Sequence, residues 1–290
     1  MSEALYGAIE AGGTKFVCAV GSSPTDLRDI RRFSTSHNPL ETMAEVIDYF
    51  QKHKPLKAIG IATFGPIDYP TGRITTTPKT AWRDFPLRDS IRRVFDVPVG
   101  FDTDVNAAAL AEARYGAGKG LDNFIYITVG TGIGGGAVVN GKPVHGLLHP
   151  EMGHLLVRPA RNEAKPGLGE FLPNEPAGVC PYHGNCLEGL ASGPAIQARW
   201  GKPGHELPAD HPAWKEQADY LAQACHNLAC TLSPQMIVLG GGVMDQAHLF
   251  PMIRERARGL MNGYLELPPI EPPGLPYPGL SGAMALALEA

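Results

Sequence analysis

The segment L-Y-G-A-I-E-A-G-G-T-K-F-V-C-A-V, residues 5–20, predicts a strand, a glycine turn and a second strand. Mostly apolar residues lie on both sides of the adjacent glycines Gly12 and Gly13. Because glycine lets backbone N–H groups converge without side-chain obstruction, such a turn is a concave site for an anion. Thr14 and Lys15 add a hydroxyl and an ammonium group, both suited to phosphate oxygens. The segment therefore indicates a hairpin that binds phosphate.

The second half of the chain repeats this arrangement. A strand, the turn G-T-G-I-G-G-G and a returning strand are predicted over residues 123–140, so Gly130, Thr131 and Gly132 would form a second phosphate turn. A third glycine turn follows the buried strand predicted at residues 236–239. Helical patterns lie between the strands, and two similar halves of this kind predict an α/β protein with two lobes.

Two other kinds of glycine-rich nucleotide site are excluded by context. The chain has no G-x-x-x-x-G-K-[ST] sequence, so it is not a P-loop protein. Gly130, Gly132 and Gly135 satisfy G-x-G-x-x-G, but a dinucleotide-binding fold needs a helix there, and residues 137–139 predict a strand. Each turn alone could be an ordinary tight hairpin, whereas three in one chain favour phosphate binding.

Soft metal donors are concentrated in the middle of the chain. In C-P-Y-H-G-N-C, residues Cys180, His183 and Cys186 recur at three-residue intervals, and H-P-E-M-G-H lies upstream of them. Two thiolates and two imidazoles are a donor set of closed, tetrahedral zinc sites. The alternative is a group of incidental residues on a loop. Which of His149, His154 and His183 bind the metal stays open, and His149 is interpreted as an ordinary loop residue.

Asp104 lies where a predicted buried strand gives way to an Ala-rich helix. One interpretation is an N-cap, a common role of Asp. The other is a general base that takes a proton from a substrate hydroxyl. Glu10, just before the first glycine turn, is likewise either an outer carboxylate for Mg²⁺ or a strand residue with a local partner. Phosphate turns combined with such a carboxylate are typical of phosphoryl transfer.

Composition argues against several classes of protein. The 290 residues are 43% hydrophobic and 19% charged, which is ordinary for a globular chain with a core. A net charge of −4 argues against non-specific binding to nucleic acid or to an anionic membrane, and no apolar run is long enough to span a bilayer. The first residues lack the pattern of a signal peptide, and 5 cysteines, an odd count, suit a reducing cytoplasm better than a disulfide framework.

Several motifs resemble those of the ROK (repressor, open reading frame, kinase) family of sugar kinases. They are E-A-G-G-T-K, T-D-V-N-A-A-A-L-A-E, G-T-G-I-G-G-G, H-P-E-M-G-H and C-P-Y-H-G-N-C-L-E-G, which occur in the family's order along the chain. Within the family, F-G-P-I-D at residues 64–68, T-P-K-T-A-W at residues 77–82 and A-S-G-P-A at residues 191–195 are most similar to the zinc-containing bacterial fructokinases.

The resemblance implies an α/β, two-lobed actin-like ATPase fold of the hexokinase type, which is ribonuclease H-like, with ATP and sugar meeting in the interlobe cleft. The N-terminal lobe would comprise residues 1–115, completed by a closing helix at residues 281–290. The C-terminal lobe would comprise residues 116–280 and carry the zinc loop at residues 149–189. A homodimer is expected, since family members are usually dimers or tetramers.

The activity that the resemblance implies is ATP-dependent phosphorylation of a hexose, foremost D-fructose to D-fructose 6-phosphate, with Mg²⁺ and a structural Zn²⁺. Asp104 would be the catalytic base. The sugar would be bound by Gly65, Pro66, Thr103, Asp104, Glu151, His154 and Glu188. ATP would be bound by Gly12, Gly13, Thr14, Lys15, Gly130, Thr131, Gly132, Pro194, Gly240, Gly241, Gly242, Val243 and Met244. Zinc would be held by His154, Cys180, His183 and Cys186, and Glu10 would lie in the outer shell of Mg²⁺.

Departures from the family's pattern affect three positions. Glu10 stands where many members have Asp, Thr103 where Asn is frequent, and His183 where many members have a third Cys. None of these removes a required chemical group, although one hydrogen bond to the sugar would differ. Residues 158–179, rich in Pro, Gly and charge, predict a mobile surface excursion that is longer than the family leads us to expect.

Other activities are alternatives to fructose phosphorylation. A glucokinase, a mannokinase or an N-acetylhexosamine kinase of the same family would share these motifs. The family also contains sugar-responsive regulators, which need a DNA-binding helical region ahead of the first strand, and this chain is expected to start at that strand. A dehydrogenase that uses the turn at Gly130 is the third alternative, and it is disfavoured by the strand that follows this turn.

Overall fold

The computed structural model describes residues 4–158 and 178–290, which form a mixed α/β structure. The surface excursion predicted at residues 158–179 lies, except for its ends, outside the described residues. The strands are β1 Tyr6–Ala11, β2 Lys15–Ser23, β3 Asp26–Ser34, β4 Ile59–Thr63, β5 Ile67–Asp68, β6 Arg73–Ile74, β7 Val99–Thr103, β8 Phe124–Val129, β9 Ile133–Val139, β10 Lys142–Pro143, β11 Met236–Gly240 and β12 Ile270–Glu271. The α-helices are α1 Pro39–Gln51, α2 Leu87–Arg92, α3 Asp104–Tyr115, α4 Leu187–Ala191, α5 Gly193–Trp200, α6 Ala213–Leu232, α7 Leu249–Met261 and α8 Pro278–Glu289.

The first sheet has five strands in the order β3-β2-β1-β4-β7. Strands β1, β2 and β3 pair antiparallel, whereas β4 is parallel to both β1 and β7. Strand β3 is absent from the sequence-based prediction. Its sequence D-L-R-D-I-R-R-F-S is mostly charged because it lies at the sheet edge, where charged side chains discourage pairing with another chain.

The second sheet also has five strands, in the order β10-β9-β8-β11-β12. Strand β9 begins at Ile133, earlier than the returning strand predicted from residue 137, because the glycines of the turn are themselves extended. Gly136 permits a close backbone approach there: a Cβ on it would lie 2.2 Å from the carbonyl oxygen of Val105. The glycine run thus serves both as turn and as strand.

The described residues form two compact units. One unit comprises residues 4–126, 136–150 and 273–290, and the other comprises residues 127–135, 151–158 and 178–272. The lobe boundaries predicted from the sequence stay predictions.

Helix α8 is part of the first unit and packs on the sheet of that unit. The residues Leu280, Ala283 and Met284 of this helix are fully buried. Gly60 in β4 and Gly100 in β7 let the helix backbone approach, since a Cβ on Gly60 would lie 1.8 Å from the carbonyl oxygen of Ala283. The helix has almost no polar face, which agrees with burial on nearly every side.

No helix among the described residues combines the length and the apolar character that crossing a membrane requires.

Candidate active site and metal centre

The first glycine turn joins β1 to β2 and is held by its own backbone and by β3. The N–H of Gly12 donates to the carbonyl of Lys15 at 2.9 Å. Thr35, which directly follows β3, donates its hydroxyl to the carbonyl of Gly12 at 2.7 Å and its N–H to the carbonyl of Thr14 at 3.0 Å. A Cβ on Gly12 would lie 2.8 Å from the Lys15 carbonyl oxygen, so the tight turn needs glycine.

Asp104 is the first residue of α3, and the helix cap is supplied by its neighbour. Thr103, which is buried, accepts a hydrogen bond from the N–H of Asn106 at 3.1 Å, and this contact defines it as the N-cap. Asp104 Oδ1 accepts from the N–H of Val105 at 2.9 Å. The N-cap interpretation of Asp104 is therefore wrong, because the side chain one position earlier occupies that role.

A buried carboxylate that the sequence analysis missed lies beside Asp104. Asp102 is 2% exposed, and its Oδ2 is 3.0 Å from Nε2 of His145. Its Oδ1 accepts from the N–H of Thr103 at 2.7 Å and from the amide of Asn106 at 3.1 Å. The hydrogen bond to Asp102 raises the pKa of His145 above its ordinary value, against an opposing effect of burial. This network ties the first turn of α3 to the segment after β10.

The predicted sugar-pocket residues Gly65 and Pro66 lie in a turn held by His149. Nε2 of His149 accepts a hydrogen bond from the N–H of Ile67 at 3.1 Å. A Cβ on Gly65 would lie 3.2 Å from the same ring, so the imidazole packs directly on this turn. Burial lowers the pKa of His149, which favours the neutral ring that such an acceptor requires. The interpretation of His149 as an ordinary loop residue therefore omits its structural role.

Glu10 lies in β1, one residue before Ala11, and contacts the start of α8. A Cβ on Gly279 would lie 2.4 Å from its Oε1, so the carboxyl group packs on the first turn of that helix. Burial raises the pKa of Glu10, while the positive charges of Lys15 and Arg32 lower it. The predicted role of Glu10 near Mg²⁺ stays a prediction.

In the second unit, Glu188 contacts the second glycine turn. The N–H of Gly130 donates to the carbonyl of Gly132 at 2.9 Å, which closes the turn. Glu188 Oε2 accepts from the N–H of Ile133 at 2.9 Å, and a Cβ on Gly132 would lie 2.6 Å from the same oxygen. A side chain predicted to bind sugar and a turn predicted to bind phosphate are thus neighbours.

Two further predicted ATP-binding segments lie against the same turn. The N–H of Gly193, directly before Pro194 in the first turn of α5, donates to the carbonyl of Gly130 at 2.8 Å. Gly241 has φ +88°, and a Cβ on it would lie 2.5 Å from the Val129 carbonyl oxygen. The chain then continues into the short helix Gly242–Asp245, which contains the predicted residues Val243 and Met244. The structure therefore brings the three segments together within one unit.

Glu151 begins the segment that leads to the short helix Met152–His154. Glu151 as a whole residue is exposed, but partial loss of water around its carboxyl group raises the pKa of Glu151. The negative charge of Glu188 adds to this effect. Two carboxylates that repel each other in the free protein are suited to accept hydrogen bonds from the hydroxyl groups of a ligand.

The four predicted zinc ligands form one cluster. Their donor atoms all lie within 4.8 Å of one another, and this cluster consists of His154, Cys180, His183 and Cys186. Nδ1 of His154 is 3.4 Å from the sulfur of Cys186 and 3.7 Å from the sulfur of Cys180. Zn–S bonds of about 2.3 Å and Zn–N bonds of about 2.0 Å in a tetrahedron place the donor atoms roughly 3.5 Å apart. The cluster therefore fits a zinc ion, and His149 lies outside it.

The local fold presents these donors from two sides. The segment at Leu155 pairs with the start of α4, where the N–H of Leu187 donates to the Leu155 carbonyl at 2.9 Å. A turn closed by the N–H of Gly184 and the Cys180 carbonyl at 3.0 Å brings Cys180 and His183 together. Burial raises the pKa of Cys186, so a bound cation would be needed to keep this thiol ionised at neutral pH.

Comparison with known proteins gives consistent matches over the whole chain. The sequence model of the ROK family matches residues 6–290. A fructokinase of Pediococcus pentosaceus is 45% identical over 99% of this chain and 98% of its own length. A fructokinase of Zymomonas mobilis is 42% identical over 99% of this chain and 97% of its own length. The crystal structure of a ROK family glucokinase from Streptomyces griseus, in complex with glucose and AMPPNP, matches with a TM-score of 0.79 at 25% identity, over 99% of this chain and 100% of that one.

Proposed function

Because this chain belongs to the ROK family, we propose that it is an ATP-dependent fructokinase that converts D-fructose to D-fructose 6-phosphate. The observation that carries the choice of fructose is the sequence identity of 45% and 42%, over 99% of this chain, to two relatives named fructokinase. The fold is the actin-like ATPase fold, which is shared with the matched glucokinase.

Asp104 acts as the general base in this proposal. The 6-hydroxyl of the sugar attacks the terminal phosphorus of ATP, its proton passes to Asp104, and ADP leaves with the oxygen that joined the two phosphates. The N–H of Val105, which donates to Oδ1 of Asp104, orients the carboxylate at the start of α3. General-base catalysis of this kind contributes about 10²–10⁴-fold in rate.

The glycine turns at Gly12 and Gly130 bind the phosphates of ATP, whose adenosine lies near Pro194 and residues 240–244. Support comes from the backbone geometry of both turns and from the contacts that Gly193 and Gly241 make beside the second turn. Mg²⁺, when bound, would offset the negative charge of the phosphate oxygens. Glu10 is the candidate outer carboxylate for this ion.

The sugar hydroxyls are bound by Thr103, Glu151, His154 and Glu188, beside the turn at Gly65 and Pro66. His154 has a double role in this proposal. Its Nδ1 faces the sulfur atoms of Cys180 and Cys186, which leaves Nε2 for a hydroxyl group. A structural zinc ion in this cluster would fix the orientation of the ring.

Two properties of the whole protein complete the proposal. The chain forms a homodimer, which light scattering at several concentrations tests directly. It acts in the cytoplasm on a small sugar, and its net charge of −4 supports the absence of a nucleic-acid partner.

A panel of hexoses with ATP and Mg²⁺, followed by ADP release, tests the proposed reaction. Fructose is expected to give the highest kcat/KM among fructose, glucose, mannose and N-acetylmannosamine. Asp104→Asn is expected to lower kcat at least ~10²-fold with the affinity for ATP unchanged. Asp48→Asn, at an exposed position on α1, is the matched control and should keep full activity. A preference for another hexose would overturn the choice of sugar, and full activity of Asp104→Asn would remove Asp104 from its role.

A further inference from the structure

The segment T-P-K-T-A-W, residues 77–82, has no role in the reaction described above, yet it lies against the first glycine turn. A Cβ placed on Gly13 would lie 3.5 Å from Cε of Lys79, which is van der Waals distance. The end of the Lys79 side chain therefore lies beside the turn proposed to bind phosphate. Lys15, the lysine of the turn itself, is exposed, whereas Lys79 is half-buried.

The backbone of this segment is anchored independently of the lysine side chain. Trp82 is fully buried, and its indole N–H donates to the carbonyl of Ser36 at 3.0 Å. The backbone N–H of Trp82 donates to the carbonyl of Lys79 at 2.8 Å. The centroid of the Trp82 ring lies 5.1 Å from that of the Phe16 ring on β2. The helix Thr80–Trp82 thus fixes the position of Lys79 relative to the hairpin.

The ammonium group of Lys79 has no counter-ion within the described part of the chain. The ion pairs there include Lys52 with Asp48 at 2.6 Å, but no carboxylate oxygen lies within 4.0 Å of the Lys79 nitrogen. An ammonium group without a partner among the described residues is available to donate hydrogen bonds to a bound anion. The anion that the glycine turn is built to receive is a phosphate.

We propose that Lys79 binds the terminal phosphoryl group of ATP and neutralises the charge on its non-bridging oxygens during transfer. This inference rests on the proposed function, because ATP is taken as the phosphoryl donor. As the bond from the sugar oxygen to phosphorus forms and the bond to the departing ADP oxygen breaks, Lys79 keeps its protons and donates hydrogen bonds. The proton of the sugar hydroxyl goes to Asp104.

The first test compares the binding of MgATP and of AMP by calorimetry. Lys79→Met keeps most of the apolar stem and removes the charge, so the dissociation constant for MgATP should rise at least ~10-fold while that for AMP stays within about 2-fold. Lys79→Arg should restore most of the MgATP affinity because it restores the charge. Lys57→Met, which removes an exposed lysine in the same unit, should bind both nucleotides like the wild type.

Kinetics of the variant and labelling of the wild-type protein give two further readouts. The kcat of Lys79→Met with the preferred hexose should fall at least ~10²-fold, since charge neutralisation acts most strongly in the transition state. In wild-type protein treated with acetic anhydride, MgATP should protect Lys79 from acetylation and AMP should not, whereas Lys57 should react equally in both samples. This labelling does not depend on the folding of any variant.

Three outcomes would overturn the inference. They are unchanged MgATP affinity and kcat in Lys79→Met, an equal loss of MgATP and AMP affinity, and acetylation of Lys79 that MgATP does not reduce. The proposed function fails separately. If the wild-type protein binds MgATP but phosphorylates no hexose, the nucleotide-binding ratio and the labelling still decide whether Lys79 contacts the phosphate.

Discussion

Single side chains that were not predicted as site residues hold the backbone of the first unit, and examples are Asp102, Glu112 and His149. Glu112 is fully buried, and its carboxylate accepts from the N–H groups of Ala117 at 2.8 Å, Gly274 at 2.9 Å and Leu275 at 2.9 Å. Because a buried carboxylate is unfavourable unless it is hydrogen-bonded, these contacts make Glu112 a specific anchor for the segment before α8. Each of the three side chains hydrogen-bonds to backbone that lies next to a predicted site residue or to helix α8.

The pair of His145 and Asp102 should make stability depend on pH. The hydrogen bond to Asp102 raises the pKa of His145 in the folded state. Protonated His145 therefore stabilises the fold fully below its ordinary pKa of about 6.5, and this contribution is lost as pH rises through the raised value. In calorimetry, His145→Gln should remove a fall in Tm across this window.

The control for this prediction is His205→Gln, which changes a histidine whose side chain is 79% exposed. This variant should retain the fall in Tm between mildly acidic and alkaline pH. The same pH dependence in His145→Gln as in the wild type would contradict the assignment to the pair of His145 and Asp102.

The packing of α8 on the first sheet depends on small residues in the strands beneath it. Gly60 and Gly100 bring the backbones of β4 and β7 close to the helix. Such an approach allows the fully buried side chains of Ala283 and Met284 to pack in one core cluster with residues of the sheet. The mostly small side chains of the helix sequence P-G-L-S-G-A-M-A-L-A-L-E agree with this close packing.

Replacing Gly60 by Ala should therefore destabilise the protein. The added Cβ would lie 1.8 Å from the carbonyl oxygen of Ala283, so helix and strand must move apart, at a cost of about 3 kcal/mol. Urea unfolding followed by circular dichroism would measure the loss. Gly259→Ala, at an exposed position in α7 with no neighbouring atom within 4 Å, is the matched control and should stabilise by about 0.5–1 kcal/mol. Equal stability of the two variants would show that α8 does not pack as described.

The stability of the whole chain should depend on the metal cluster. His154 and Cys180 are more than twenty residues apart in sequence, so a shared ion would link them across this separation and stabilise the unit that contains Glu188. The donor separations match those of a zinc site, and metal binding of this kind contributes directly to folding.

Removal of the metal by a chelator is expected to lower Tm and activity together. Elemental analysis should find about one zinc per chain in the wild type and none in Cys186→Ser. Cys230→Ser, which changes an exposed cysteine on α6, should keep both the zinc and the Tm. If Tm stayed the same after verified loss of zinc, the cluster would have no structural role.

Local sequence patterns were sufficient for much of the architecture. The prediction of the ROK family was confirmed by the match over residues 6–290, and the predicted actin-like fold was confirmed by the solved relative. The strand–turn–strand units at Gly12 and Gly130 are present, and the four predicted zinc donors form one cluster. The turns and the donors Cys180, His183 and Cys186 are determined by residues close together in sequence, where glycine content, periodicity and Cys/His spacing are informative, whereas His154 joins the cluster from more than twenty residues away.

The contacts that only the tertiary structure decided join residues far apart in the chain. His149 meets Ile67 across 82 positions, and Glu112 meets Leu275 across 163 positions. The approach of Lys79 to Gly13 is of the same kind. A buried carboxylate or a half-buried lysine has no periodic signature, because its partner is chosen by how strands and helices pack. The sequence by itself therefore determined the turns, the metal donors and the family, whereas packing decided which polar side chains hold the candidate site in place.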